Sequence, residues 1–293
     1  MLLEGSLSIL CPSQLNFPEG VAVDVDGAVW AGGAAGEVYR ITGDLFVVPL
    51  VKLSGRLLGI TPAIGGGVLV CAMDEHRVVR VEADATVTQI GPGDIPLPNC
   101  TAYDQHGNVW ITDSGQWVER DGRVLRVDTD GNSTVAADGL AFANGLAFSA
   151  DWSTLYVAQS EDRDVVAYDV AEDGTLSDKR VAISREALQA AVPGDPLTDG
   201  VAVDEAGNVY VTLPRADRVV VGTPDGRVEV VCLDDGPAKD TTEVDHGQLL
   251  RSPTNVAFGG ADRRDLYVAN LRTRHLGVGR VSVPGLELPG QRR

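Results

Sequence analysis

Two carboxylates and three carboxamides stand at one recurring point of this chain. Glu19, Asn99, Asn144, Asp199 and Asn255 each lie just ahead of a short apolar run, as in "PEGVAV", "PNCTAY", "ANGLAF", "TDGVAV" and "PTNVAF". A sixth such point carries Gly59, in "LLGITP". Carboxylates and amide carbonyls are hard oxygen donors. If they converge, two buried carboxylates repel one another and cost free energy unless something positive lies between them. No Lys or Arg occupies any of the six points, so the simplest counter-charge is a metal ion. An all-oxygen set suits Ca²⁺ first, with Mg²⁺, Mn²⁺ or Zn²⁺ as possible substitutes. The Cys and His ligands that zinc favours are missing from the set. A single Asp or Asn ahead of a strand is more often a cap or a water ligand. Five at six equivalent points argue for convergence.

What must position them is a repeat. Six segments align, beginning at Phe17, Leu57, Leu97, Phe142, Leu197 and Ser252, with successive starts 40, 40, 45, 55 and 55 residues apart. Each unit has the same order. An apolar strand runs into a turn such as "DVDGA", "DQHGN" or "DEAGN", where Asp and Asn bond their own backbone and Gly supplies positive φ. A β-branched and aromatic strand follows (AVWAG, NVWIT, NVYVT), then an alternating strand such as "EVYRI" or "RVLRV", then a fourth. Four strands in 40 to 55 residues is the period of a propeller blade. The chain therefore reads as all-β, a six-bladed β-propeller with four antiparallel strands per blade. It is expected to be a single domain over 1–293, closed by the N-terminal "EGSLSILC" joining the last blade beside "GRVSVPG". Helix is expected only at 184–192, and the tail "ELPGQRR" is expected to fray.

In a propeller the first strand of each blade lines the central channel, so the residues preceding those strands face one small volume at one end. Loops on the same face then select the substrate. They carry Asp113, Trp117 and Arg120, then Arg163, Arg215, Arg272 and His275, with His246 in "TTEVDHGQL". Trp117 could stack on a ring-shaped substrate, and Asn255 completes the set. Trp30 and Trp110 end second strands and should pack between blades, and His106 belongs to a turn on the opposite face.

Composition excludes some partners. The chain has 293 residues and a formal charge of −18, a poor surface for nucleic acid or an anionic membrane. No apolar run is long enough to span a bilayer. The start "MLLEGSLSIL" lacks a basic n-region and a cleavage pattern, so no signal peptide is expected. Cys11, Cys71, Cys100 and Cys232 are scattered without a CxxC pair, which fits small buried residues and a cytoplasmic location.

The motifs "FPEG" (17–20), "WITDSG" (110–115), "NGLAFSADWSTLYVA" (144–158) and "TDGVAVDEAGNVYVT" (198–212) resemble the senescence marker protein / gluconolactonase / luciferin-regenerating enzyme family. The chain is also similar to diisopropyl fluorophosphatase, over nearly its whole length. The resemblance implies a propeller with one divalent cation at the channel mouth, held by Glu19, Asn144 and Asp199, with Asn99 a direct or water-mediated ligand. It implies hydrolysis of lactones and, in some members, of organophosphates. A cation there would polarise an ester carbonyl, and Asp199 would act as general base or nucleophile. Two departures stand out. "TDG" replaces the common "PDG". Leu97 stands where many sugar-lactone members carry Arg, which speaks against an aldonolactone substrate. Two other classes compete: a metal-free strictosidine-synthase-like condensing enzyme or pathway-specific cyclase, and a non-catalytic propeller that binds a partner.

Overall fold

The computed structural model describes residues 3–43, 47–233 and 249–293. The repeat folds as six four-stranded antiparallel sheets arranged as a six-bladed propeller. The innermost strands are Val21–Val23, Leu57–Pro62, Pro98–Tyr103, Ala143–Phe148, Val201–Val203 and Pro253–Gly259. Each touches the inner strands of both neighbouring blades, so the ring closes on itself. The outer strand of the sixth blade is Leu3–Leu10, antiparallel to Leu276–Val281. That is the closure expected from the sequence, and it pairs strand edges that would otherwise stay open.

The local chemistry repeats as the sequence does. Asp24, Asp104 and Asp204 each end an inner strand, and each accepts two backbone N–H groups of its own turn on Oδ1. The second oxygen takes the indole N–H of Trp30 at 2.7 Å and of Trp110 at 3.0 Å, and the Asn208 amide at 2.7 Å. Gly27, Gly107 and Gly207 supply the positive φ, near 80°, that each turn needs. Trp30, Trp110 and Tyr210 are fully buried between blades; Trp110 meets Phe148 and Tyr210 meets Phe258 edge to face. His106 lies in one of these turns, as expected. The helix is Arg185–Ala191, capped by Ser184, whose hydroxyl accepts from Ala187 N at 3.2 Å. Cys11, Cys71 and Cys100 are buried free thiols.

The tail does not fray. Gly285 bridges to Asp204, and Leu286 N donates to Val203 O. Gln291 Nε2 donates to both Val23 O and Phe258 O at 3.1 Å. Pro289 and Gly290 are buried, and Arg292 lies over the Trp152 ring. Val23, Val203 and Phe258 sit at or beside the downstream ends of inner strands, so the tail crosses the channel at the end away from the five polar residues. Between the two lies a cavity of about 200 Å³, walled by Val21, Ile60, Thr101, Leu146, Val201 and Val256 and by the tail from Leu286.

Candidate active site

Glu19, Asn99, Asn144, Asp199 and Asn255 are all buried, at the upstream ends of five inner strands. Their backbones are fixed by their own and the neighbouring blades. Asp199 N donates to Thr212 O and its carbonyl accepts from Gly145 N. The Glu19 carbonyl accepts from Thr254 Oγ1, and the Asn144 carbonyl from Thr112 Oγ1 at 2.7 Å. The following glycines allow this proximity. A Cβ on Gly20 would meet Leu58 O at 2.4 Å, and one on Gly200 would meet Thr254 O at 2.5 Å. The "EG" and "DG" pairs thus couple a polar side chain to a backbone that must pass close to its neighbour.

Two serines decide which way the amides face. Asn99 Nδ2 donates to Ser114 Oγ at 2.9 Å, and Ser114 Oγ donates to Ala143 O. Asn144 Nδ2 donates to Ser160 Oγ at 3.0 Å, and Ser160 Oγ donates to Thr198 O at 2.7 Å. Each hydroxyl commits its proton to a carbonyl of the next blade, so it can only accept from the amide. The nitrogen is taken up by the serine and the oxygen is left without a partner. Asn99 Oδ1 and Asn144 Oδ1 are accordingly buried without a hydrogen-bond partner, as are Glu19 Oε2 and Asp199 Oδ1. Asn255 differs. Leu271 follows its second strand where the serines follow theirs, and the unpartnered atom is its Nδ2.

Four unpartnered buried oxygens, two of them on carboxylates, are costly in a low-dielectric site. Burial is the main cause that raises the Glu19 pKa well above the usual carboxylate range; the nearby Asp199 raises it further and the Arg56 cation works against this. Burial likewise lifts Asp199, opposed by its contact with the Asn144 amide. Among the described residues no three His, Cys, Asp or Glu side chains gather. A cation here would rest on two carboxylates and two amide oxygens, a donor set that fits a hard divalent ion.

The expected substrate residues fare unequally. Asp113 is engaged in its own blade: Oδ1 accepts from Leu97 N at 2.9 Å and Oδ2 from Arg123 Nε at 2.9 Å. This ties down the loop ahead of Asn99, and both carboxylate oxygens are engaged within the blade. Arg120 pairs with Asp162, and Arg163 and Arg215 both pair with Asp195. His275 is buried, not on a loop surface. Arg272 is exposed. Trp117 is 41% exposed and leans on Phe142, two residues before Asn144. His246 lies outside the described residues. Sequence reasoning missed Ser114 and Ser160. Their signal was available, a serine directly after the second strand in two of the three blades with Asn at the ring, but nothing in the sequence says which group it bonds.

The sequence pattern described as "SMP-30/Gluconolactonase/LRE-like region" matches residues 49–272, more than half of the chain. A second, "Strictosidine synthase-like, N-terminal", matches residues 6–41. A 6-deoxy-6-sulfogluconolactonase from Pseudomonas putida is 33% identical over 173 residues, 58% of this chain and 52% of that protein, so the chain spans about half the length of this curated relative. A gluconolactonase structure from Xanthomonas campestris superposes with a TM-score of 0.75 at 22% identity, covering 94% of this chain and 89% of that one. A calcium-binding protein, regucalcin, from Agrobacterium tumefaciens gives a TM-score of 0.75 at 17% identity, over 99% and 98% of the two chains. With the sequence match extending over most of the propeller, the chain belongs to the SMP-30/gluconolactonase/LRE-like family.

Proposed function

We propose that this protein is a divalent-metal-dependent hydrolase that opens lactones or related esters, with Glu19, Asn99, Asn144 and Asp199 holding the ion. The observation that carries this reading is that four buried oxygens at the upstream ends of inner strands, two of them on carboxylates, have no hydrogen-bond partner. The lactonase names of relatives and the calcium-binding name of a structural neighbour support it. Ca²⁺ is the first choice, because every donor is a hard oxygen. Bound there, a divalent ion supplies polarisation of the ester carbonyl and compensates both carboxylates.

The chain's own groups supply the rest. Asn99 and Asn144 arrive with their oxygens already oriented by Ser114 and Ser160, so no rotamer search precedes binding. Asp199 Oδ1 has no protein partner and is the group to take a proton from attacking water, or to attack the carbonyl carbon itself. Water adds to the carbonyl, the ring C–O bond breaks, and the released alkoxide takes the proton, leaving a hydroxy acid. The buried ring lies at the channel end away from the tail, so substrate reaches it from the face that carries Trp117. The metal-free condensing alternative draws on the match at residues 6–41, but it gives no role to Asn99, Asn144 or Asp199.

The test is a calorimetric titration of chelator-treated protein with CaCl₂, beside Asp199→Ala, followed by acid release from a lactone panel. Binding and turnover in the parent, both lost in the variant, are expected. Lactone turnover that persists in Asp199→Ala or in chelator overturns the mechanism.

A further inference from the structure

The ring has one gap. At the second blade the equivalent point is Gly59, where a Cβ would strike Asn99 O at 2.6 Å, so no side chain can stand there. Gly20, next to Glu19, abuts the Leu58 carbonyl on the other side. The first residues of the strand Leu57–Pro62 therefore lie between Gly20, next to Glu19, and Asn99. Arg56 is the last residue before that strand. Its backbone is held by Asp74 Oδ2, which accepts from Arg56 N, and by Met73 N, which donates to Arg56 O. Its side chain is exposed.

Five other guanidinium groups of this face are committed, while Arg272 is exposed on the sixth blade. Arg77, Arg120, Arg163, Arg215 and Arg251 form ion pairs with Glu75, Asp162, Asp195 and Asp217. Among the described residues Arg56 takes part in no ion pair at 4.0 Å or less, and it adjoins the strand that touches both Gly20 and Asn99. A planar guanidinium with five donors and no carboxylate of its own is suited to a bidentate oxyanion. On a chain of net charge −18, the general field repels anions. A free cation beside the one gap in the ring is where an anionic group could be met.

We propose that Arg56 is a specificity residue that engages an anionic substituent of the substrate, so that the site prefers lactones bearing a carboxylate, sulfonate or phosphate over neutral ones. This rests on the lactone reading above. The matched probes are D-glucaro-1,4-lactone, which carries a free carboxylate, and its neutral methyl ester. Binding of each is measured by calorimetry to wild type, Arg56→Gln and Arg56→Lys in chelator, and turnover of each with CaCl₂. Wild type should prefer the anionic lactone by about tenfold or more in affinity. The preference should collapse in Arg56→Gln and be partly kept in Arg56→Lys, and it should weaken with added salt. An equal preference in wild type and Arg56→Gln, a parallel loss for both probes, or wild-type preference for the ester overturns the assignment. Selective binding without hydrolysis of either probe would support Arg56 and refute the lactonase reading instead.

Discussion

Replacing Ser160 with alanine removes one oxygen and deprives two groups of a partner. Ser160 is buried, accepts from Asn144 Nδ2 at 3.0 Å and donates to Thr198 O at 2.7 Å. In Ser160→Ala the amide N–H and the carbonyl both lose this partner away from water. A buried group left unsatisfied costs about 1–3 kcal/mol, so two at the low end give about 2 kcal/mol. For a chain of this length the unfolding entropy is about 0.6 kcal/mol per kelvin, and the melting temperature should fall by about 3 °C. The larger effect is on the site. Freed of the hydroxyl, the Asn144 amide can turn its nitrogen toward the ring and withdraw an oxygen donor. Loss of such an outer partner weakens metal binding by about 10- to 100-fold. The assay is a CaCl₂ titration of chelator-treated wild type and Ser160→Ala, with thermal melts in chelator. Ser114→Ala should act the same way through Asn99. Wild-type Ca²⁺ affinity in Ser160→Ala would refute the idea that the serine fixes the amide.

Removing one ring carboxylate should separate function from stability: in chelator at pH 7 to 8, Glu19→Gln or Asp199→Asn should melt higher than wild type, by about 1 kcal/mol, yet gain nothing from CaCl₂. A lower melting point in both would mean that the carboxylates do not repel. The raised Glu19 and Asp199 pKa values also set a pH dependence. In the metal-free protein their contribution to stability is fully present below the ordinary carboxylate pKa near 4 and is lost as pH rises through the raised values. Ion binding needs the ionised forms, so Ca²⁺ uptake should release protons and weaken as pH falls. Calorimetry in two buffers of different ionisation enthalpy measures that release, and none at mildly acidic pH would contradict the raised values. Finally, Gly290→Ala would place a Cβ 1.9 Å from Pro62 O. It should cost about 1–3 kcal/mol and speed hydrogen exchange around residues 285–291; an unchanged melting curve would show that the tail is not part of the cooperative unit.

The sequence alone determined the frame. Strand alternation, the Asp–Gly turns and a 40- to 55-residue period gave six blades, because each blade repeats the same local chemistry. The same period placed Glu19, Asn99, Asn144, Asp199 and Asn255 at one end of one channel, since residues at equal points in a repeat occupy equal points in space. Only the tertiary structure decided the rest, through contacts between strands, between blades or between distant segments. The Asn99 and Asn144 oxygens are free because a serine proton goes to a carbonyl of the next blade. Asp113 is engaged in its own blade because Leu97 N and Arg123 reach its two oxygens. The tail is ordered because Gln291 finds carbonyls 268 and 33 residues away. Hydrogen-bond partners of this kind leave no periodic trace, so a linear reading finds which residues meet but not which atoms each leaves unpaired.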